Sequence, residues 1–438
     1  MSRWARTNRR HARMQRIAGA GGRRGTGLAN GGGSGALCGT AERGRCASLE
    51  RASRIVCAMM GSGVFGLIIP YSGSGLMIAG QPAPGIRRRD GVRAAAGSVA
   101  LAALAPRLAP AADVPAAAAA PRVRIGFLGA SHSHAFEKVR IAKESPDFEL
   151  VGVAEPSEAV RRRLERLGVR FVSEEEVLET CVAVAVESDV PDHARHARRV
   201  LEAGRHVHVE KPPAGTFKEF AALVALAKER RLLMQMGYMW RFNPGINAAL
   251  EAARKGWLGE VRLVRGMINT QAGPAARAAW AAYRGGILFE LGSHLVDPLI
   301  RLLGRPERVT PFLRTQADPP DRLADGTAAV FEFPRALGIL TSAVFPPGSS
   351  VQRSFEIHGT NGVALVKPIE PPQLCLELAR AAGPYAAGVQ AVTLPAYRRY
   401  APELAELAAA IRAGTALSVT PEEDLLVQEG LMRACGMD

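Results

Sequence analysis

Beyond residue 121 the chain settles into short apolar runs separated by amphipathic stretches, and their alternation predicts its elements. Val123-Arg124-Ile125-Gly126-Phe127-Leu128 is an apolar run closing on Gly129, and a helical pattern follows over residues 133–143. Apolar runs recur at 149–155, 182–186, 206–210 and 232–238, with helical stretches at 191–203 and 217–230, the first stopped by Gly204. Helices that return each time to another apolar strand are the signature of a parallel sheet. From residue 241 the pattern changes. After a helix at 245–255, half-buried strands are expected at 261–267, 327–333, 339–345 and 354–358, without helices between the later ones. Such strands imply a mostly antiparallel sheet. The run from His358 to Ala364 reads as two strands joined through the Asn361-Gly362 turn. Helices at 403–413 and 421–434 close the chain, the second with Thr420 as cap and Pro421 in its first turn.

The fold class is therefore α/β: an N-terminal doubly wound parallel sheet of the Rossmann type over 122–240, then an α+β domain with an open, mostly antiparallel sheet over 241–438. Residues 1–121 form a leader of different character. The chain has a net charge of +15 over 438 residues, but 17 Arg, no Lys and 4 acids fall in residues 1–120. The remaining 318 residues hold 39 bases and 37 acids, so the folded part lacks the basic footprint of a nucleic-acid binder. Residues 1–54 are rich in Arg, Gly, Ala and Ser and are expected to be disordered. The apolar stretch 55–80 is broken by Gly and Pro, so no stable membrane span is expected there. Residues 77–112 run from Arg87-Arg88-Arg89 through an Ala/Leu/Val segment to small residues, the order of an export signal resembling the twin-arginine type. Export to the periplasm is the expectation, with a cytoplasmic protein as the alternative. The six cysteines show no C-x-x-C spacing, which argues against a zinc site or a disulfide framework.

Two stretches carry candidate chemistry. Strand, tight turn and helix around Gly126 and Gly129 form the phosphate-binding unit of a dinucleotide fold, although Ser131 and His134 occupy the second and third glycine places. His132 and His134 are read as structural or phosphate-contacting, not metal-binding, since no acidic or cysteine partner lies nearby in sequence. Glu155 ends the second strand where a carboxylate meets adenosine ribose, which favours NAD; Arg161, Arg162 and Arg163 leave NADP open. The other stretch is Glu210-Lys211-Pro212, where a buried strand stops. Ligands of such sheets bind beyond the strand ends, so Lys211 is the first catalytic candidate, aimed by Pro212. Tyr238 and Arg241 follow the last parallel strand and are candidate substrate contacts, a structural ion pair being the other reading of Arg241.

Glu210-Lys211-Pro212, the segment Gly237-Tyr238-Met239-Trp240-Arg241-Phe242-Asn243-Pro244, and the segment from Gly285 to Asp297 resemble, in this order, motifs of the Gfo/Idh/MocA family of nicotinamide-dependent oxidoreductases. The resemblance implies NAD and a catalytic helix carrying an acid and a histidine four residues apart, Glu290 and His294, with Asp297 as a further substrate contact. Lys211 would hydrogen-bond the reacting hydroxyl, His294 would exchange the proton, and Glu290, where many members carry Asp, would orient it. The implied reaction is hydride transfer at a carbinol carbon of a sugar, sugar acid or cyclitol, by a homodimer or homotetramer. The alternatives are an NAD-dependent glycosidase of the same fold and a non-catalytic dinucleotide- or sugar-sensing member.

Overall fold

The computed structural model describes residues 121–318, 320–344 and 352–437. The twin-arginine-like leader, the apolar stretch 55–80 and the expected strand end at Phe345 lie outside the described residues. Among the described residues no helix is long and apolar enough to cross a membrane.

The first half runs β1 (Val123–Leu128), α1 (Ala135–Glu144), β2 (Phe148–Ala154), α2 (Glu158–Glu165), α3 (Glu174–Thr180), β3 (Ala183–Val186), α4 (Val190–Glu202), β4 (His206–Val209), α5 (Phe217–Glu229) and β5 (Met234–Met236). Its five strands lie in the order β2-β1-β3-β4-β5, all parallel. The expected parallel sheet is thus observed. It forms because β1 and β3 are almost wholly apolar and buried, as strands covered on both faces must be, and β4 buries Val207 and Val209 in alternation with two histidines. Chain order reverses between β1 and β3, which opens the crevice where such sheets take ligands. Side-chain caps set the helix starts: Ser157 accepts the Val160 amide and Thr216 the Glu219 amide.

A 3₁₀ turn (Met239–Phe242) leads into the second half: α6 (Pro244–Arg254), β6 (Val261–Thr270), α7 (Pro274–Trp280), a π-helical turn (Leu288–Gly292), α8 (Ser293–Leu303), β7 (Arg308–Arg314), β8 (Gly326–Glu332), β9 (Leu337–Val344), β10 (Ser354–Gly359), β11 (Gly362–Val366), β12 (Leu374–Leu378), β13 (Gly388–Val392), α9 (Ala401–Ala413) and α10 (Pro421–Ala434). Eight strands form one sheet, β13-β12-β11-β10-β6-β9-β8-β7. Every pairing in it is antiparallel except β6 with β9. Thr420 and Glu423 form the full capping box of α10, with Pro421 in the first turn.

One local expectation is corrected. β10 and β11 pair as expected, but the two residues between them are Thr360 and Asn361, and Gly362 already belongs to β11, so the turn is not centred on Asn361-Gly362. Asn361 donates to the carbonyls of Trp257 and Arg380 instead, at 2.9 and 3.1 Å, and its side chain serves to tie three loops together. The chain's last helices return to the first half. Arg412 of α9 reaches Asp147 at 2.7 Å, Lys228 of α5 reaches Glu422 at 2.6 Å, and Glu403 of α9 lies fully buried against α1.

Candidate active site

Strand β4 delivers the pair Glu210-Lys211 into the crevice, and the Lys211-Pro212 peptide bond is cis. Lys211 is fully buried; its Nζ donates to Glu290 Oε1 at 2.7 Å and to the Glu290 carbonyl at 3.1 Å. The Pro212 carbonyl is pinned by His193 Nδ1 at 2.7 Å, so the turn beneath the lysine is held on both sides. Glu210 accepts the Lys211 amide at 3.0 Å, His134 Nδ1 at 3.0 Å and the Lys138 ammonium. Gly237 makes room for it: a Cβ there would stand 3.0 Å from the Glu210 carboxylate.

The sequence spacing predicts Glu290 and His294 on one face of an α-helix. In the structure Glu290 lies in the π turn and His294 opens α8, so the register between them is not α-helical. Glu290 turns to Lys211. Among the described residues neither ring nitrogen of His294 has a hydrogen-bond partner, and the ring lies 5.3 Å from Trp240, 6.0 Å from His134 and 6.4 Å from Tyr238, centroid to centroid. Burial first, then Lys211, depresses its pKa well below the usual imidazole value, leaving a neutral base with open valences.

Arg241 is corrected from substrate contact to structural ion pair. It is buried, donating through Nε to Asp297 at 2.8 Å and through its terminal nitrogen to Asp424 at 2.5 Å. Asp297, which also meets Arg301 at 3.4 Å, is withdrawn from the substrate with it. Tyr238 packs its ring under the Arg241 guanidinium at 4.7 Å and borders His294. Gly126 is likewise a packing residue: it sits inside β1, where a Cβ would collide with Cys181 and Val177 at 2.8 Å.

The phosphate-binding turn fits a dinucleotide. Gly129 has φ +73°, and a Cβ there would come within 2.5 Å of the Ser188 backbone, so this glycine is obligatory. Helix α1 begins at His134 without a side-chain cap, which leaves its amide end and dipole to an anionic partner such as a phosphate. Ser131 stands half-buried on the turn. Glu155 accepts the amides of Ala130 and Ser157, both at 2.7 Å, and each oxygen keeps a lone pair for a ribose hydroxyl. His134 does not crowd the sheet from the third glycine's place, because its ring turns to Glu210.

The premise that His132 and His134 lack acidic partners is overturned. Glu210 lies 3.6 Å from His132 Nδ1 and 3.0 Å from His134 Nδ1, and these three side chains offer atoms in metal-ligating proximity. The same holds for Glu187, His208 and Glu210, but the Lys138 ammonium stands among them where a cation would. Lys138, Glu187, His208 and Glu403 escaped sequence reasoning. One signal was available: Lys138 falls on the buried stripe of α1, with Ala135, Val139 and Ala142.

A parallel nucleotide-binding sheet whose switch point faces a buried lysine-carboxylate pair and an unpartnered histidine defines a dinucleotide-dependent oxidoreductase. Residues 123–238 match the family model for the oxidoreductase family with NAD-binding Rossmann fold, and residues 246–365 match the GFO/IDH/MocA C-terminal domain. The chain belongs to the Gfo/Idh/MocA family, and its N-terminal domain is that family's NAD-binding domain. It is 34% identical over 141 residues to the oxidoreductase YhhX of Escherichia coli (strain K12), covering 32% of this chain and 41% of that protein. To scyllo-inositol 2-dehydrogenase (NAD(+)) of Bacillus subtilis (strain 168) it is 28% identical over 188 residues, 42% of this chain and 54% of the other. The chain thus spans about half the length of these curated relatives. Among solved structures, levoglucosan dehydrogenase in complex with NADH and levoglucosan superimposes with a TM-score of 0.63 at 18% identity, over 72% of this chain and 97% of that one.

Proposed function

We propose that the protein is an NAD-dependent dehydrogenase acting on a carbinol carbon of a sugar, sugar acid or cyclitol. The observation that carries the reading is the Lys211 ammonium, buried and held 2.7 Å from Glu290 beside the bare imidazole of His294. NAD, held at its phosphates by the turn at Gly129 and Ser131 and the start of α1 and at its ribose by Glu155, supplies the hydride acceptor or, in reverse, the donor. Lys211 hydrogen-bonds the reacting oxygen and stabilises its alkoxide charge in a site that excludes water. Lys211 also exchanges the proton of that oxygen, Glu290 fixes the direction of the ammonium, and neutral His294 accepts a hydrogen bond from a neighbouring substrate hydroxyl through a free nitrogen. The relatives' substrates, an inositol and an anhydrosugar by their names, support the polyol class.

The test is a panel of sugars, sugar acids and cyclitols with NAD and with NADP, followed at the reduced-nicotinamide absorbance. Turnover of at least one polyol, faster with NAD, is expected; binding of NAD with no turnover on any member would leave a sensor. Two further parts of the reading extend to the whole protein. The outer sheet face carries half-buried Leu263, Met267, Val330 and Ile339 beside exposed Leu337, which suits a second copy of this chain, and light scattering reads the oligomer. Export by the arginine-led segment is checked by mass spectrometry of the native N-terminus.

A further inference from the structure

Behind the reacting lysine, three carboxylates surround one ammonium out of reach of water. Lys138 Nζ donates to Glu210, lies 3.0 Å from Glu187 and 3.3 Å from Glu403, and all four side chains are 0–1% exposed. It also donates to His208 Nε2 at 2.6 Å. The tautomer of His208 follows from its other side. The Gln235 amide nitrogen donates to the Glu403 carbonyl and to Glu406, so its oxygen faces His208 Nδ1 at 2.9 Å and takes that N–H. His208 is then neutral and balances no charge. Fully ionised, the cluster would bury one positive and three negative charges, and groups so placed take up protons rather than bear the desolvation cost.

We propose that Lys138, Glu187, Glu210 and Glu403 form a proton store for the reacting site, connected to Lys211 through His132 and Glu290. The delivery step rests on the dehydrogenase reading above. The connection runs from Lys211 to Glu290 at 2.7 Å, Glu290 to His132 Nε2 at 4.0 Å, His132 Nδ1 to Glu210 at 3.6 Å, and Glu210 to Lys138 directly; the two steps at His132 are longer than a hydrogen bond, and a small turn of the ring closes each during transfer. His132 Nδ1 accepts the His134 amide at 3.3 Å, which puts the ring proton on Nε2, the orphaned nitrogen that faces Glu290. In this tautomer protons run outward. As hydride arrives at a carbonyl carbon, Lys211 gives a proton to the new alkoxide oxygen and is refilled through Glu290 from His132 Nε2. The ring is refilled at Nδ1 by way of Glu210, and one carboxyl O–H of the store breaks. The carbonyl is reduced and the dihydronicotinamide oxidised, and alcohol oxidation runs the same steps backward.

The surrounding charges agree. Burial pushes Glu403 up to about 7 and Glu187 well above the carboxylate range. Burial also opposes ionisation of Glu210, yet Lys138, His134 and His132 hold that carboxyl well below its usual value. Burial works against the charge of Lys138 too, and the three carboxylates overcome it. The remaining cation facing Glu403, Arg399, is 3.4 Å from Glu370, and the Tyr400 ring lies over Lys138.

Infrared spectroscopy of the full-length protein without substrate tests the store. A protonated-carboxyl band is expected at pH 6, fading as pH rises through about 7 and weakened in Glu403→Gln. No such band in the folded wild-type protein, or a stoichiometric divalent metal in elemental analysis, overturns the proposal without reference to activity or to the folding of a variant. Delivery is read from the solvent deuterium isotope effect and pH profile of turnover. His132→Gln should raise the isotope effect and move the profile, and Glu403→Gln should do both at unchanged NAD affinity; no change in either overturns the connection. Failure of every polyol as substrate removes the dehydrogenase reading and the delivery step together, while the part of the band lost in Glu403→Gln decides whether the cluster holds protons, Asp424, outside it, being another buried carboxyl raised to about 6.

Discussion

Lys211 and Arg241 show how differently two buried cations serve one site. Among the described residues Lys211 has one carboxylate partner, Glu290, and keeps one of its three N–H donors for a reacting oxygen. Arg241 is shared between two carboxylates, Asp297 and Asp424, and is held by them in a buried ion pair. Substituting Lys211→Met should therefore lower kcat/KM by roughly 10²- to 10⁴-fold, the range for loss of a positioned proton-handling group, while NAD affinity by calorimetry holds. Arg241→Met should do the opposite. Stranding Asp297 and Asp424 without their cation should cost about 3–5 kcal/mol in denaturant unfolding, with activity per folded molecule near wild type. An Arg241→Met protein that folds as wild type and loses substrate affinity would restore the substrate-contact assignment. The sequence placed both residues at the end of the parallel sheet. It gave no means of telling them apart, because their partners Glu290, Asp297 and Asp424 are 56 or more positions away.

At the scale of elements, the parallel half was legible because its strands are largely buried on both faces and β1 and β3 read as apolar runs. The same runs carried a sign that went unread: β2, β3 and β4 are each followed at once by glutamate, Glu155, Glu187 and Glu210. Adjacent parallel strands bring such residues to one edge, so the anionic end of the sheet was written in the strand boundaries. Lys138 on the buried face of α1 was the matching cation. The π turn at Glu290 was beyond reach, since Gly285 and Gly286 admit several backbone paths and an acid four residues before a histidine looks helical in any of them. Gly129 can be tested directly. Alanine there must hold φ +73° and place a Cβ against the Ser188 backbone, so Gly129→Ala should destabilise by at least about 1–3 kcal/mol and abolish measurable NAD binding. Retention of wild-type NAD affinity in that variant would sink the assignment of this turn to the phosphates.

For the molecule as a whole, the buried groups set opposing pH dependences. His134 and His208 are pushed, chiefly by burial, down to about 4 and about 3, and burial likewise lowers His132, His193 and His294. The unfolded chain protonates these histidines near pH 6.5 while the folded one does not, so the stability they contribute is present above about 6.5 and is lost on acidification. Glu403, at about 7, Asp424, at about 6, and Glu187 are raised by burial, so the folded chain binds protons that the unfolded chain has released above about 4.5. Their contribution is complete at low pH and disappears as pH climbs through the folded values. These histidines, together with His196 and His206, which burial also lowers, outweigh the three acids between pH 4.5 and 6.5, at about 1.4 kcal/mol per pH unit for each net proton, so stability rises across that window. Above it only the raised acids still titrate, and stability turns downward. The melting temperature should therefore peak near pH 6.5, falling steeply toward pH 4.5 and gently toward pH 8. Glu403→Gln should flatten the alkaline side and leave the acid side in place. A melting temperature that climbs steadily from pH 6.5 to 8 would show that the carboxylates around Lys138 are already ionised at neutrality.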